Sequence, residues 1–268
     1  MPIDVDAVVI RNVRLSGDYN VLTLAAPEIG ARTQPGQFVM VKAGVMADSI
    51  LRRPFSVFEV IRENDRISAI SIFNKRAGRN TRALYALEAG DRVACLGPLG
   101  KPFSERPASE AWMVAGGVGL APFATLAESL ARAGTPTTLF YGARSGAELF
   151  YLEFFERLGV TLALSTEDGS RGAAGRITLP LERALSNTRA DANIAIYACG
   201  PEPMLEAVSK LVARFGQRCE VSVERVMGCG LGGCYSCVVP VRDGAGHQHF
   251  VRSCIGGPVF DGADIVWD

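Results

Sequence analysis

Met227-Gly228-Cys229-Gly230-Leu231-Gly232-Gly233-Cys234-Tyr235-Ser236-Cys237, answered by Cys254, holds four of the chain's seven cysteines in the spacing C-x4-C-x2-C-x16-C. Four thiolates so spaced are one of the known frames for a [2Fe–2S] cluster. Two irons and two sulfides bound by thiolates carry net negative charge, so the loop must wrap tightly and aim backbone N–H groups at the sulfurs. Gly228, Gly230, Gly232 and Gly233 allow the backbone angles such a wrap needs. A structural zinc site and buried, inert thiols are the other readings of clustered cysteines. Zinc sites mostly pair two short knuckles, whereas here one knuckle meets a longer arm and one distant cysteine. The spacing favours the cluster, with Cys229, Cys234, Cys237 and Cys254 as its ligands.

Length and composition bound the rest. At 268 residues the chain has room for two domains and a small appendage, and 48% hydrophobic residues suffice for real cores. Lys plus Arg and Asp plus Glu balance at 28 each, so bulk charge points to neither nucleic acid nor an acidic membrane surface. The first residues lack the basic start and apolar run of a signal peptide. The longest apolar tract, 111–127, contains three glycines and a proline and falls short of the roughly 20 residues a membrane helix needs. Reduced cysteines then point to the cytoplasm.

Upstream of the cysteines the hydrophobic period changes once. Residues 5–100 alternate in short Val-, Ile- and Phe-rich runs (5–13, 20–26, 37–43, 55–61, 66–73, 91–96), broken by turns such as Pro35-Gly36 and Glu88-Ala89-Gly90. This predicts an antiparallel barrel, with a helical turn or two over 81–87. Gly97 to Pro107 is turn-rich and reads as a boundary. From Ala111, strands at 111–115, 137–141, 161–165 and 193–198 alternate with helices near 121–132, 147–158 and 203–215, the pattern of a doubly wound parallel sheet. The expected division is 1–103, 104–218 and 219–268.

Two motif sets carry a family resemblance. Arg53-Pro54-Phe55-Ser56, followed by Gly78-Arg79-Asn80-Thr81 opening a helix, resembles the flavin-binding domain of the ferredoxin reductase superfamily. The resemblance implies FAD, with Arg53 on its pyrophosphate, Pro54, Phe55 and Ser56 beside the flavin ring, and Phe73, Asn74 and Lys75 on a flavin-contacting strand. Ser56 is the expected catalytic hydroxyl. A guanidinium fork suits a diphosphate, and Asn80 and Thr81 at a helix N-terminus suit its other side. Asn80 stands where many relatives have glycine, and asparagine tolerates the same left-handed geometry. Taken alone, the motif also reads as an ordinary strand start with a solvated arginine. Gly116-Gly117-Val118-Gly119-Leu120-Ala121-Pro122 and Cys199-Gly200-Pro201-Glu202-Pro203-Met204 together resemble the pyridine-nucleotide domain of the same superfamily. They imply NAD binding at Gly116, Gly117, Gly119, Cys199 and Gly200, with Cys199 near the reactive nicotinamide carbon as a catalytic residue. A lone cysteine there reads equally as a small buried thiol.

The order flavin, nucleotide, cluster, with only about 50 residues after the nucleotide domain, resembles the electron-transfer subunits of NAD-dependent dihydroorotate dehydrogenases. Ser222-x-Glu224-x-x-Met227 leading into the cysteine loop, Gly257-Pro258-Val259-Phe260-Asp261, Gly142-Ala143-Arg144-Ser145 and Glu167-Asp168-Gly169-Ser170 match that family. Gly256 departs from a usual aspartate, and Tyr235-Ser236 from a usual glycine before Cys237; neither removes a ligand. The resemblance implies an oxidoreductase subunit of pyrimidine biosynthesis, passing electrons between NAD and the FMN of a separate catalytic subunit through FAD and the cluster. A heterotetramer with two copies of each subunit follows. The alternative is a reductase subunit of hydrogenase gamma or NADH–ferredoxin oxidoreductase type. Arg144 beyond the second nucleotide strand leaves NADP open, and only the resemblance selects NAD. Val259, Phe260 and Trp267 supply apolar and aromatic area of the kind that anchors a partner interface, and each reads equally as packing of the small cluster domain.

Overall fold

The computed structural model describes residues 1–44, 50–189 and 192–267. Six antiparallel strands close a barrel: β1 (Ile3–Arg14), β2 (Tyr19–Leu24), β3 (Phe38–Ala43), β4 (Arg53–Glu63), β5 (Arg66–Lys75) and β6 (Arg92–Leu99), in the spatial order β1-β2-β5-β4-β3-β6. Alternation does the sorting. Leu22, Leu24, Val39, Val41, Ile70 and Ile72 point inward and are buried; each such side chain contributes roughly 1.5–3 kcal/mol. A short α1 (Pro27–Gly30) and then α2 (Arg79–Ala86) close over the barrel.

The second unit alternates strand and helix: β7 (Glu110–Gly116), a 3-10 turn at Gly117–Leu120, α3 (Phe123–Arg132), β8 (Thr137–Ala143), α4 (Leu152–Arg157), β9 (Thr161–Thr166), β10 (Ala173–Ala174), α5 (Thr178–Ser186), β11 (Ile194–Cys199), α6 (Glu202–Arg214) and β12 (Cys219–Ser222). These strands run parallel in the order β10-β9-β8-β7-β11-β12. The helix expected over 147–158 is shorter. A 3-10 turn occupies Gly146–Glu148, and Tyr151 takes a left-handed φ of 60° at the N-cap of α4. Helix α5 had no counterpart in the sequence reading.

After the cysteine loop come the hairpin β13 (Val238–Arg242) and β14 (Gln248–Arg252), the turn α7 (Ser253–Gly256) and β15 (Val259–Asp261). β12 pairs parallel with β11 and antiparallel with β15, so the sheet crosses the boundary expected at residue 219 and stitches the cysteine segment onto the α/β unit. The linker between barrel and sheet is pinned as well. The Glu220 carboxylate accepts the Ser104 N–H at 2.8 Å and the Ser104 hydroxyl, while the Tyr197 hydroxyl donates to the Ser104 carbonyl at 2.9 Å. No helix among the described residues is long and apolar enough to cross a membrane.

Candidate functional site

The antiparallel register sets Val57 of β4 opposite Ile72 of β5, so the start of β4 lies beside the end of β5 and the turn into α2. Both flavin motifs thus meet at one end of the barrel. Arg53 is exposed, and its Nη1 donates to the carbonyls of Leu51 and Arg52 at 3.2 and 3.0 Å. Pro54 and Ser56 are half-buried, and Phe55 packs partly against the barrel core. The Thr81 hydroxyl accepts the N–H groups of Ala77 and Gly78 at 2.9 and 2.8 Å and donates to the Gly78 carbonyl at 3.0 Å. It therefore fixes the Gly78–Thr81 turn, which leaves Asn80 half-buried at the opening of α2.

Two expected flavin contacts have their side chains committed elsewhere. Asn74 is fully buried and donates to Asn20 Oδ1 at 2.7 Å and to the Thr81 carbonyl at 3.0 Å. Asn20 donates in turn to Asn12, and Asn12 to the carbonyls of Tyr85 and Leu87, so three asparagines lash both ends of α2 to the barrel. Phe73 faces the α/β unit and packs with Tyr19, Phe58 and Phe150 at centroid distances of 6.0, 5.6 and 5.8 Å. The pairing parity explains the split: Asn20 and Asn74 share the inner face, and Val21 and Phe73 the outer one. Asn74 Oδ1 is buried without a partner among the described residues, and the Phe73 ring is enclosed by the aromatic cluster. Lys75 is half-buried and lies over the Tyr19 ring at 5.2 Å.

The two nucleotide motifs, some 80 residues apart, interlock at the carboxyl ends of adjacent strands β7 and β11. A Cβ on Gly119 would lie 2.2 Å from the Cys199 carbonyl oxygen, and one on Gly200 would meet Met204 at 2.6 Å with the Gly116 Cα at 3.2 Å. The Gly119 contact, against backbone, admits only glycine, and the turn Gly116 to Gly119, in which Val118 alone carries a side chain, lies where open α/β sheets take dinucleotides. Cys199 sits beside Ser222 on β12. Burial pushes its thiol up to about 12, against a weaker lowering by the Ser222 hydrogen bond, so it is a neutral thiol at physiological pH. Glu202, in the second motif, receives a bidentate pair from Arg225, one contact at 2.8 Å, which ties this corner to the cysteine segment.

The four loop cysteines are unpaired by disulfides. Cys229 interacts with Cys234, and Cys254 with both Cys237 and Cys229. Among the described residues no three His, Cys, Asp or Glu side chains converge as on a single ion. Four thiolates, two per iron, are the requirement of a [2Fe–2S] cluster, and these four cysteines supply that number. The Leu231 N–H donates to Cys229 Sγ at 3.3 Å, and Gly230 and Gly232 take left-handed φ values of 71° and 81°. Hydrogen bonds from Ser236 bring the exposed Cys234 thiol down to about 6.

This loop lies on the barrel. Phe38, Met40, Leu96 and Leu99 form one buried cluster with Met227, Cys237 and Cys254. A Cβ on Gly230 would lie 2.6 Å from Met40 Cγ. Phe38 pairs with Ser56 and Met40 with Pro54, so Pro54 and Ser56 share a sheet face with the side chains that touch the cysteines, while Phe55 and Arg53 stand opposite Val39 and Val41 on the other face. Sequence reading missed these four contacts, although the strand alternation already marked Phe38 and Met40 as one face. The expected partner-facing residues are corrected. Val259 is buried in the sheet, Phe260 and Trp267 pack on the α/β core, and the Trp267 indole N–H donates to the Gly262 carbonyl at 3.2 Å. The exposed apolar side chains are instead Leu231, Tyr235 and Ile255 around the cysteines, with Val226 and Phe250 nearby in sequence.

The barrel, the sheet and the cysteine segment each match a known domain. Residues 6–103 match the oxidoreductase FAD-binding domain, 113–210 the oxidoreductase NAD-binding domain, and 224–266 the iron–sulfur cluster binding domain of dihydroorotate dehydrogenase B. The class is thus a flavoprotein oxidoreductase subunit carrying FAD, an iron–sulfur cluster and an NAD site. The chain is 34% identical over 96% of both lengths to the dihydroorotate dehydrogenase B (NAD(+)) electron transfer subunit of Shouchella clausii. It is 38% identical over 91% of both lengths to that of Bacillus caldolyticus. A solved structure of an NADH-dependent reduced ferredoxin–NADP oxidoreductase superposes with a TM-score of 0.84 at 25% identity, covering 98% of this chain and 91% of the other. The chain belongs to the family of dihydroorotate dehydrogenase B electron transfer subunits.

Proposed function

We propose that the chain is the subunit through which a dihydroorotate dehydrogenase exchanges electrons with NAD, the dihydroorotate being oxidised to orotate on a separate FMN-bearing subunit. One observation carries this: the face holding Pro54 and Ser56 continues through Phe38 and Met40 to Cys237 and Cys254. When bound, FAD supplies both hydride exchange with nicotinamide and single-electron exchange with an iron–sulfur cluster.

In this reading Arg53 turns its fork from the Leu51 and Arg52 carbonyls to the FAD pyrophosphate, and Thr81 holds the Gly78–Thr81 turn, with Asn80, against the same group. Ser56 and the main chain of Phe73 and Asn74 flank the flavin, with Pro54, Phe55 and Lys75 at its margin. Gly116, Gly117, Gly119 and Gly200 let the nucleotide approach the sheet end. Cys199 is a neutral, partly enclosed thiol that excludes water beside the nicotinamide without acting as a nucleophile. NAD is preferred to NADP, although Arg144 stands exposed just past β8. Leu231, Tyr235 and Ile255 form the surface that meets the FMN subunit, in an assembly with two copies of each chain. The unpaired cysteines suit a reducing compartment, the cytoplasm.

The test is spectroscopic. Adding NADH anaerobically to the purified holoprotein should bleach the flavin and raise the paramagnetic signal of a reduced [2Fe–2S] cluster. Cys234→Ser should abolish that signal while NADH-dependent dye reduction persists. Flavin reduction by NADH with the intact cluster left oxidised rules out the conduit.

A further inference from the structure

The knuckle Cys234-Tyr235-Ser236-Cys237 carries a hydroxyl at bonding distance from a cluster ligand. Ser236 Oγ lies 3.2 Å from Cys234 Sγ, and the Gly228 N–H donates to the same oxygen at 2.9 Å. A cluster-bound thiolate has no proton to give. Against such a thiolate the Ser236 hydroxyl is therefore the donor, while its oxygen accepts from Gly228. The chain Gly228 N–H to Ser236 O–H to Cys234 S⁻ is a two-link relay.

The knuckle is held in this shape from outside. Tyr235 takes a left-handed φ of 58°, and the Arg252 guanidinium lies 4.7 Å over its ring. The same guanidinium donates to the Gly232 carbonyl at 2.8 Å, so one side chain grips both arms of the loop. On the far side the Gly228 backbone passes close to both groups: a Cβ there would stand 3.2 Å from Cys234 Sγ and 3.5 Å from Ser236 Oγ. The buried pair, Cys237 and Cys254, sits instead against the apolar side chains of the barrel.

We infer that Ser236 is a positioning residue that sets the cluster's reduction potential, its hydroxyl stabilising the reduced, more negative state through the Cys234 sulfur. Reduction adds one negative charge to the cluster. A donor aimed at a ligand sulfur gains strength with that charge and so raises the potential. This rests on the four cysteines holding a [2Fe–2S] cluster.

The experiment is a redox titration of the holoprotein and of Ser236→Ala, Ser236→Gly and Ser236→Thr, read by the reduced-cluster paramagnetic signal. The flavin potential serves as internal reference. Alanine and glycine should keep full iron and sulfide, and should shift the cluster equilibrium toward the oxidised form roughly three- to tenfold. At 59 mV per tenfold for one electron this is about 30–60 mV more negative. Threonine, which retains the hydroxyl, should return most of that shift, and the flavin potential should stay in place. An intact cluster whose potential is unmoved in both alanine and glycine variants overturns the inference. Loss of the cluster from both makes Ser236 a scaffold residue and overturns it equally. Parent protein without iron or sulfide overturns the cluster itself.

Discussion

Gly119→Ala tests whether the interlocked glycine turn is what admits the nucleotide. The new Cβ would stand 2.2 Å from the Cys199 carbonyl oxygen and 2.5 Å from its carbon. That backbone cannot yield, because Cys199 is laddered to Ala115 on one side and Ser222 on the other. The Gly116–Leu120 turn must therefore retreat by about 1 Å to reach ordinary contact, and misplacement on that scale costs on the order of 100-fold in rate. That corresponds to about 2.7 kcal/mol of lost transition-state stabilisation. The barrel and the cysteine loop lie outside this contact, so FAD and iron content should match the parent. The assay is kcat/KM for NADH with an artificial electron acceptor, beside flavin and iron analysis. A folded, fully loaded variant within twofold of the parent would refute the reasoning.

Two further outcomes follow from the site. Arg53→Ala should weaken FAD retention, and Arg53→Lys should not restore it, because an ammonium lacks the fork that matches a diphosphate; unchanged flavin content on dilution and gel filtration would show the motif to be decorative. The parent should give a higher kcat/KM with NADH than with NADPH, and the reverse order would make Arg144 a 2′-phosphate site.

The barrel strands and the β–α alternation were legible in the sequence because they rest on local period and turn chemistry. The glycine turns were legible because only glycine fits them. What escaped has one cause, long-range pairing. β15 is three residues long and takes its meaning from β12, which precedes it by some 40 residues. Helix α5 carries Pro180 in its first turn, a permitted place that reads as a breaker. Phe73 and Asn74 were correctly set on one strand, but sequence does not say which face looks toward the α/β unit and which into the barrel. The same limit hid the seat of the cysteine loop on Met40 and made Val259, Phe260 and Trp267 look like interface. An aromatic near a metal loop packs inward or outward according to a sheet edge that only the fold supplies.

The central claim is a division of labour, and reconstitution tests it most directly. The purified chain, loaded with FAD and cluster, should reduce dyes with NADH and show no dihydroorotate oxidation at all. Mixed with the FMN-bearing subunit it should co-purify and support dihydroorotate-dependent reduction of NAD. Dihydroorotate turnover by this chain alone, or no coupling to NAD in the complete complex, would contradict the account.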